Sequence, residues 1–140
     1  MIMEDFVTFD IAKKLKEKGF IEDCIAYYHT DGELLYNRDQ YRGGDYKSLL
    51  RSYNSLPKNP IGCEQTDAPT ISQVLKWLRE EKDIDLVINP VFFYDDLGRM
   101  REYGCKVFAP SLNKPKHCGY HEKWEQASLA GIEYVLDDLI

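Results

Sequence analysis

The chain is 140 residues long, 44% hydrophobic and 30% charged, with 18 basic and 24 acidic side chains and a formal net charge of -6. That length suits one domain whose core needs no disulfide or metal staple. The composition excludes a disordered, collagenous or multi-domain chain, and the acidic balance argues against a nucleic-acid binder that works by charge alone.

The first predicted element is a helix over 9–18. Thr8 can cap it, Asp10 sits in the first turn, and Ile11, Ala12 and Leu15 recur on one face. Gly19 suits the position just beyond the helix, and Phe20 can fold back onto the core. Residues 24–29 read as a strand, Asp31-Gly32 as a hairpin turn, and Glu33 to Asn37 as the returning strand. Residues 38–68 are irregular, punctuated by Gly43-Gly44, Pro57, Asn59-Pro60 and Gly62, with a short helix expected at 46–53. A second helix is led by Thr70 and Gln73 at capping-box spacing and closed by Arg79 to Lys82. Ile71, Val74, Leu75 and Leu78 form its apolar stripe, with Trp77 at the flank.

Residues 85–94 and 99–109 read as strands joined by a turn at Asp95 to Gly98. Tyr103, Cys105 and Val107 alternate with Glu102, Gly104 and Lys106, the period of a half-buried strand. Pro90 lacks an amide donor, so its strand should be an edge or bulged. Pro110 to Gly119 is expected as a loop. The last helix is expected from about His121 to Leu139, with Trp124, Ala127, Gly131, Ile132, Val135, Leu136 and Leu139 on one broad face.

Short turns join antiparallel strands. The predicted fold is therefore a single α+β domain over residues 1–140. It has two layers: a four-stranded antiparallel sheet made of two hairpins, with three helices in the order α-β-β-α-β-β-α. An irregular basic and aromatic insertion occupies about 38–68.

Three stretches carry a resemblance: Asp10 to Phe20, Ala68-Pro69-Thr70 leading to Leu75-Lys76-Trp77-Leu78-Arg79-Glu80, and Trp124 to Ala127 with Ile132 to Leu136. Together they resemble a set of short proteins of gut Bacteroidales genomes and their prophages. These are core and capping residues, so the resemblance speaks to fold. It implies a phage or mobile-element context and brings no catalytic residue with it.

Charge is uneven along the chain. Residues 38–58 carry net +3 and residues 99–123 net +4, while 1–37, 59–98 and 124–140 carry -4, -5 and -4. In the first basic island Arg38, Tyr41, Arg42, Tyr46, Lys47, Arg51, Tyr53 and Lys58 interleave cations with rings. Single-stranded nucleic-acid surfaces use that pairing. Protein interfaces, where Tyr and Arg are over-represented, use it too. So does an ordinary loop with half-buried tyrosines. The acidic groups are spread over helix backs and turns, which makes a block that mimics nucleic acid a minor reading.

Chemistry finds little support. His117-Cys118-Gly119-Tyr120-His121 is the densest metal-capable run, and Cys118 and His121 have zinc-clamp spacing. A second pair is missing, since Cys63, Cys105 and His29 come from separate segments. There is no G-x-S-x-G elbow and no phosphate loop after a strand. Asp95 and Asp96 read as turn formers. The expected protein is therefore not an enzyme and has no cofactor. It acts through its surface on a protein partner or on itself. The alternative is a nucleic-acid-associated accessory protein whose islands, 38–58 and 99–123, share one face. The start, Met1 to Asp5, lacks the basic and apolar regions of a signal peptide. The longest apolar stretch, Leu86 to Tyr94, is far below a membrane span. The four scattered cysteines suit a reducing compartment. A cytoplasmic protein with no membrane partner is expected.

Overall fold

A computed structural model describes residues 5–37, 50–55 and 65–140. The chain divides into two compact units, Met1–Thr70 and Ile71–Ile140.

In the first unit, helix α1 (Phe9–Glu17) starts where Thr8 Oγ1 accepts the Ile11 N–H at 3.3 Å. It ends in a Schellman motif. The Phe20 N–H reaches the Leu15 carbonyl at 3.0 Å and the Gly19 N–H reaches that of Lys16 at 3.3 Å. Gly19 has φ +89°, a conformation that side chains rarely adopt. Ile11, Ala12, Leu15 and Phe20 are buried, so the expected face is the one used.

Strands β1 (Ala26–Tyr28) and β2 (Leu34–Tyr36) form the expected hairpin, with Tyr27 opposite Leu35. At its turn the Asp31 carboxylate accepts the Glu33 N–H at 2.9 Å, an Asx turn. The other edge of β1 is taken by β3 (Thr66–Asp67), with Tyr27 opposite Asp67. Helix α1 packs against β3, and the Tyr28 hydroxyl donates to the Val7 carbonyl.

In the second unit, helix α2 (Ile71–Glu81) buries Ile71, Val74, Trp77 and Leu78. Trp77 takes a core position that the stripe gave to Leu75, which is half-buried. Strands β4 (Asp85–Asp95) and β5 (Gly98–Phe108) form an eleven-pair hairpin around a two-residue turn, Asp96-Leu97. Strand β6 (Lys116–His121) adds to β5, so β4 is an edge and can hold Pro90. Helix α3 (Trp124–Tyr134) continues as a π-helical turn, Val135–Leu139. It lies across β4, β5 and β6, and α2 packs beside it. Gly131 makes this approach possible: a Cβ there would stand 2.5 Å from Cys105 Sγ and 2.7 Å from Leu86 Cδ2.

Among the described residues the chain is α+β with three helices, as expected, but its sheets differ from the expectation. Among the described residues the two hairpins do not join into the expected four-stranded sheet. Each hairpin instead recruits a third strand of its own, giving the sheets β2-β1-β3 and β4-β5-β6. The expected loop at 110–119 is half strand. The last helix begins at Trp124 because His121 still belongs to β6. Of the short helix expected at 46–53, residues 46–49 lie outside the described residues. Arg51 is extended, bridged to Cys24. Among the described residues no helix is long and apolar enough to cross a membrane.

Candidate interaction surface

The second sheet has one covered and one open face, and strand alternation assigns every side chain to one of them. Leu86 meets Gly131 of α3, so Leu86, Ile88, Pro90, Phe92 and Tyr94 share the α3 side of β4. Opposite them on β5 stand Val107, Cys105, Tyr103, Arg101 and Arg99. The open face then carries Val87, Asn89, Val91, Phe93 and Asp95 of β4, with Lys106, Gly104, Glu102, Met100 and Gly98 of β5 facing them.

A bulge completes the open face. Gly104 pairs with Tyr120 and Lys106 with His117, so Cys105 alone on β5 stands against Cys118 and Gly119 on β6. In a regular strand, side chains three apart point to opposite faces. The extra residue at Cys118-Gly119, where Gly119 has φ +85°, turns His117 and Tyr120 to the same face. Their rings lie 4.7 Å apart, and Phe93 meets Tyr120 edge-on at 5.8 Å. The two rings close over Gly104, where a Cβ would stand 3.3 Å from His117 Nε2 and 3.4 Å from Tyr120 Cε1, and beside them lies a hollow of about 310 Å³ lined by Asn89, Val91, Gly104, Lys106, His117 and Tyr120.

Helix α3 covers only the base of the hairpin. From Asn89 to Arg101 every residue but Val91 is exposed, on both faces. Ten large apolar side chains are exposed among the described residues; seven belong to the strands of this sheet and an eighth, Leu97, to the turn between β4 and β5. Val87, Phe93, Met100, Phe108 and Tyr120 are on the open face, Phe92 and Tyr94 on the other, and Leu97 at the turn is 97% exposed. On the α3 side of the arm, Arg99 lies over the Phe92 ring at 4.5 Å and Arg101 over Tyr103 at 5.2 Å. Sequence reading missed this surface. The run Val87 to Tyr94 carries apolar residues at both alternations, with Asn89 the one polar exception, so its pattern marks neither face as open, and nothing local shows that the covering helix stops short.

The metal-capable run does not converge. His117 points to the open face and accepts the Gly119 N–H at 3.1 Å. Cys118 lies on the covered face, where its thiol neighbours that of Cys105. His121 Nε2 bonds the Cys118 carbonyl at 3.0 Å. Among the described residues no three His, Cys, Asp or Glu side chains are placed to hold a metal ion together. Burial, then the neighbouring Cys118, pushes the Cys105 thiol up to about 12.

Of the first basic island, Arg38, Tyr41, Arg42, Tyr46, Lys47 and Lys58 lie outside the described residues, so whether 38–58 and 99–123 share a face lies outside them as well. Arg51 and Tyr53 are described, and both fasten their segment to the first unit. Arg51 exchanges backbone hydrogen bonds with Cys24 at 2.8 and 3.0 Å. Tyr53 sets its ring 4.7 Å from Tyr27 and donates its N–H to Asp67 at 2.9 Å. Both border a groove of about 530 Å³ with Tyr27, Leu35 and Asn37.

Asp67, also missed, is buried at 1% exposure. It accepts the N–H groups of Tyr53 and Asn54 and lies 3.4 Å from the Ser52 hydroxyl. Burial pushes its carboxyl above the ordinary range, against the pull of these donors. Nothing in a two-residue polar strand announces such a role. No protein-family model matches the chain, and neither a curated protein nor a solved structure matches it.

Proposed function

We propose that this chain is a non-enzymatic protein-interaction domain, of the phage or mobile-element setting that its resemblance implies, binding through the sheet β4-β5-β6. The observation that carries this reading is the gathering of five exposed large apolar side chains, Val87, Phe93, Met100, Phe108 and Tyr120, on the open face of one sheet. Single exposed apolar residues are ordinary on any surface, whereas a contiguous patch marks a place where something else binds. Aromatic residues and Met dominate the patch, and these are the types enriched at protein interfaces. A benzophenone side chain in place of Phe93 or Tyr94 tests the proposal in cells. Adducts of defined mass with protein are expected from both positions and none from Glu80, on the exposed back of α2. Equal labelling at all three positions, or none, overturns the reading.

A second reading is favoured by the Arg99–Phe92 and Arg101–Tyr103 stacks, whose cations belong to the second basic island. Rings beside cations suit a single-stranded nucleic acid. Titration with a fluorescent single-stranded oligonucleotide tests it. Binding that weakens with salt and with Arg99→Ala and Arg101→Ala supports it, and the absence of salt-sensitive binding rejects it.

A further inference from the structure

Resting on the interaction reading above, we propose that the open face of β4-β5-β6 docks a second copy of this chain, arm against arm and antiparallel.

The argument is one of self-complementarity about a single pair, Val91 opposite Glu102. Two residues toward the turn stand Phe93 and Met100, a ridge of exposed side chains 42% and 51% accessible. Two residues toward the base stand Asn89 and Gly104, where the hollow lies. Four residues toward the turn is Asp95, and four toward the base are Val87 and Lys106. Ridge and hollow, and anion and cation, are thus equidistant from one point.

A two-fold axis between two such faces, perpendicular to the strands at the Val91–Glu102 pair, sets β4 against β4 and β5 against β5. Met100 of each copy then comes over the other's hollow, beside the paired His117 and Tyr120 rings rather than between them. Asp95 of each copy comes over the other's Val87–Lys106 pair. This is an isologous interface, satisfied twice by one rotation. Face-to-face sheets stand about 10 Å apart, a gap that these side chains fill. Within one chain Asp95 and Lys106 cannot meet. Lys106 pairs with Val87, eight residues along β4 and roughly 26 Å away. Coupling between them therefore reports contact between copies.

The same axis brings Glu102 to its own symmetry mate, a like-charge contact that weakens the pair. The face measures about 36 Å by about 15 Å from strand rise and spacing, small beside a standard interface. A dimer that exchanges with monomer is therefore expected rather than a permanent one.

Sedimentation equilibrium of the full chain from about 10 µM to about 1 mM tests this. A dimer of twice 16.4 kDa is expected to form within that range. Asp95→Asn keeps an acceptor for the Leu97 N–H, which Asp95 holds at 2.8 Å, while removing the charge. Asp95→Asn and Lys106→Gln should each weaken the dimer about three- to tenfold, and the double variant no more than either alone. Met100→Asp should abolish it, and Glu102→Gln should tighten it. Circular dichroism checks that each variant stays folded. A chain that is monomeric at the highest concentration overturns the inference, as do Asp95 and Lys106 effects that multiply, or a dimer indifferent to Met100→Asp. If the chain is monomeric while benzophenone at Phe93 still captures a different protein, the docking of a second copy fails and the interaction reading stands.

Discussion

Asp67 and Asn54 hold each other from both ends: the Asp67 carboxylate accepts the Asn54 N–H at 3.0 Å, and Asn54 Oδ1 accepts the Asp67 N–H at 3.1 Å. The pair ties residues 52–55 to β3, with Tyr53 as a third donor. An amide in place of the carboxylate would turn an NH₂ toward one of these donors. Asp67→Asn should therefore destabilise the protein by about 1–3 kcal/mol, read as a shift in the urea midpoint.

The same carboxyl has a pH signature. Burial raises its folded-state pKa above the unfolded value, so protonation favours the folded chain. The stabilisation is complete below the ordinary Asp range and is lost as pH rises through the raised value. The stability gap between the native chain and Asp67→Asn should accordingly narrow as pH rises above the ordinary Asp range. A gap that widens as pH rises contradicts the assignment.

Gly131→Ala tests the approach of α3 to its sheet. The new methyl would lie 2.5 Å from Cys105 Sγ, and a cost of about 1–3 kcal/mol is expected. Cys105→Ala in the same chain should recover part of it, because the sulfur is the nearer obstacle. Both tryptophans, Trp77 and Trp124, belong to the second unit, so indole fluorescence reports this unit's unfolding.

Thiol reactivity should follow burial. Desolvation raises the thiols of Cys24 and Cys105, whereas at half-buried Cys118 the nearby Lys116 opposes that rise. Iodoacetamide at about pH 8 should modify Cys118 well before Cys24 or Cys105 in the folded protein, since the thiolate is the nucleophile. Peptide mass mapping over time distinguishes the order, and early labelling of Cys105 would contradict it.

The cap of α1 separates backbone strain from contact. Nothing lies within 4 Å of a Cβ at Gly19, so the effect of Gly19→Ala is conformational alone. A loss of about 1 kcal/mol is expected, similar to that for Thr8→Ala at the other end of the helix. Thermal unfolding by circular dichroism measures both.

Which parts of the fold can be read from the chain follows from where their causes lie. Thr8, Gly19 and the Asp31-Gly32 turn act on their own neighbours, so α1 and the first hairpin are local facts. The stripe Ile71, Val74 and Leu78 is equally local. The third strand of each sheet is not. Thr66-Asp67 is too short and polar to show an alternation. Lys116 to His121 carries a bulge at Gly119 that breaks the two-residue period, on an edge where most side chains face water. Placing both strands requires knowing which edges of β1 and β5 stay open, and that depends on distant pairing. The candidate surface was hidden for a related reason: exposure of Phe93 and Met100 is set by where α3 ends over the sheet.

The tight turn at Asp96-Leu97 also bears on how the chain reaches its native state. Each β4–β5 pair forms once the next one toward the turn is in place, so the hairpin can zip from Asp95–Gly98 without closing any wide gap. The pairing of Tyr28 with Thr66 spans 38 residues of sequence. Closure entropy grows by about 0.6 kcal/mol for each doubling of such a span. Residues 1–70 emerge from the ribosome before residues 71–140, yet theirs is the sheet with the longer search: the half of the chain made first has the topology that slows closure.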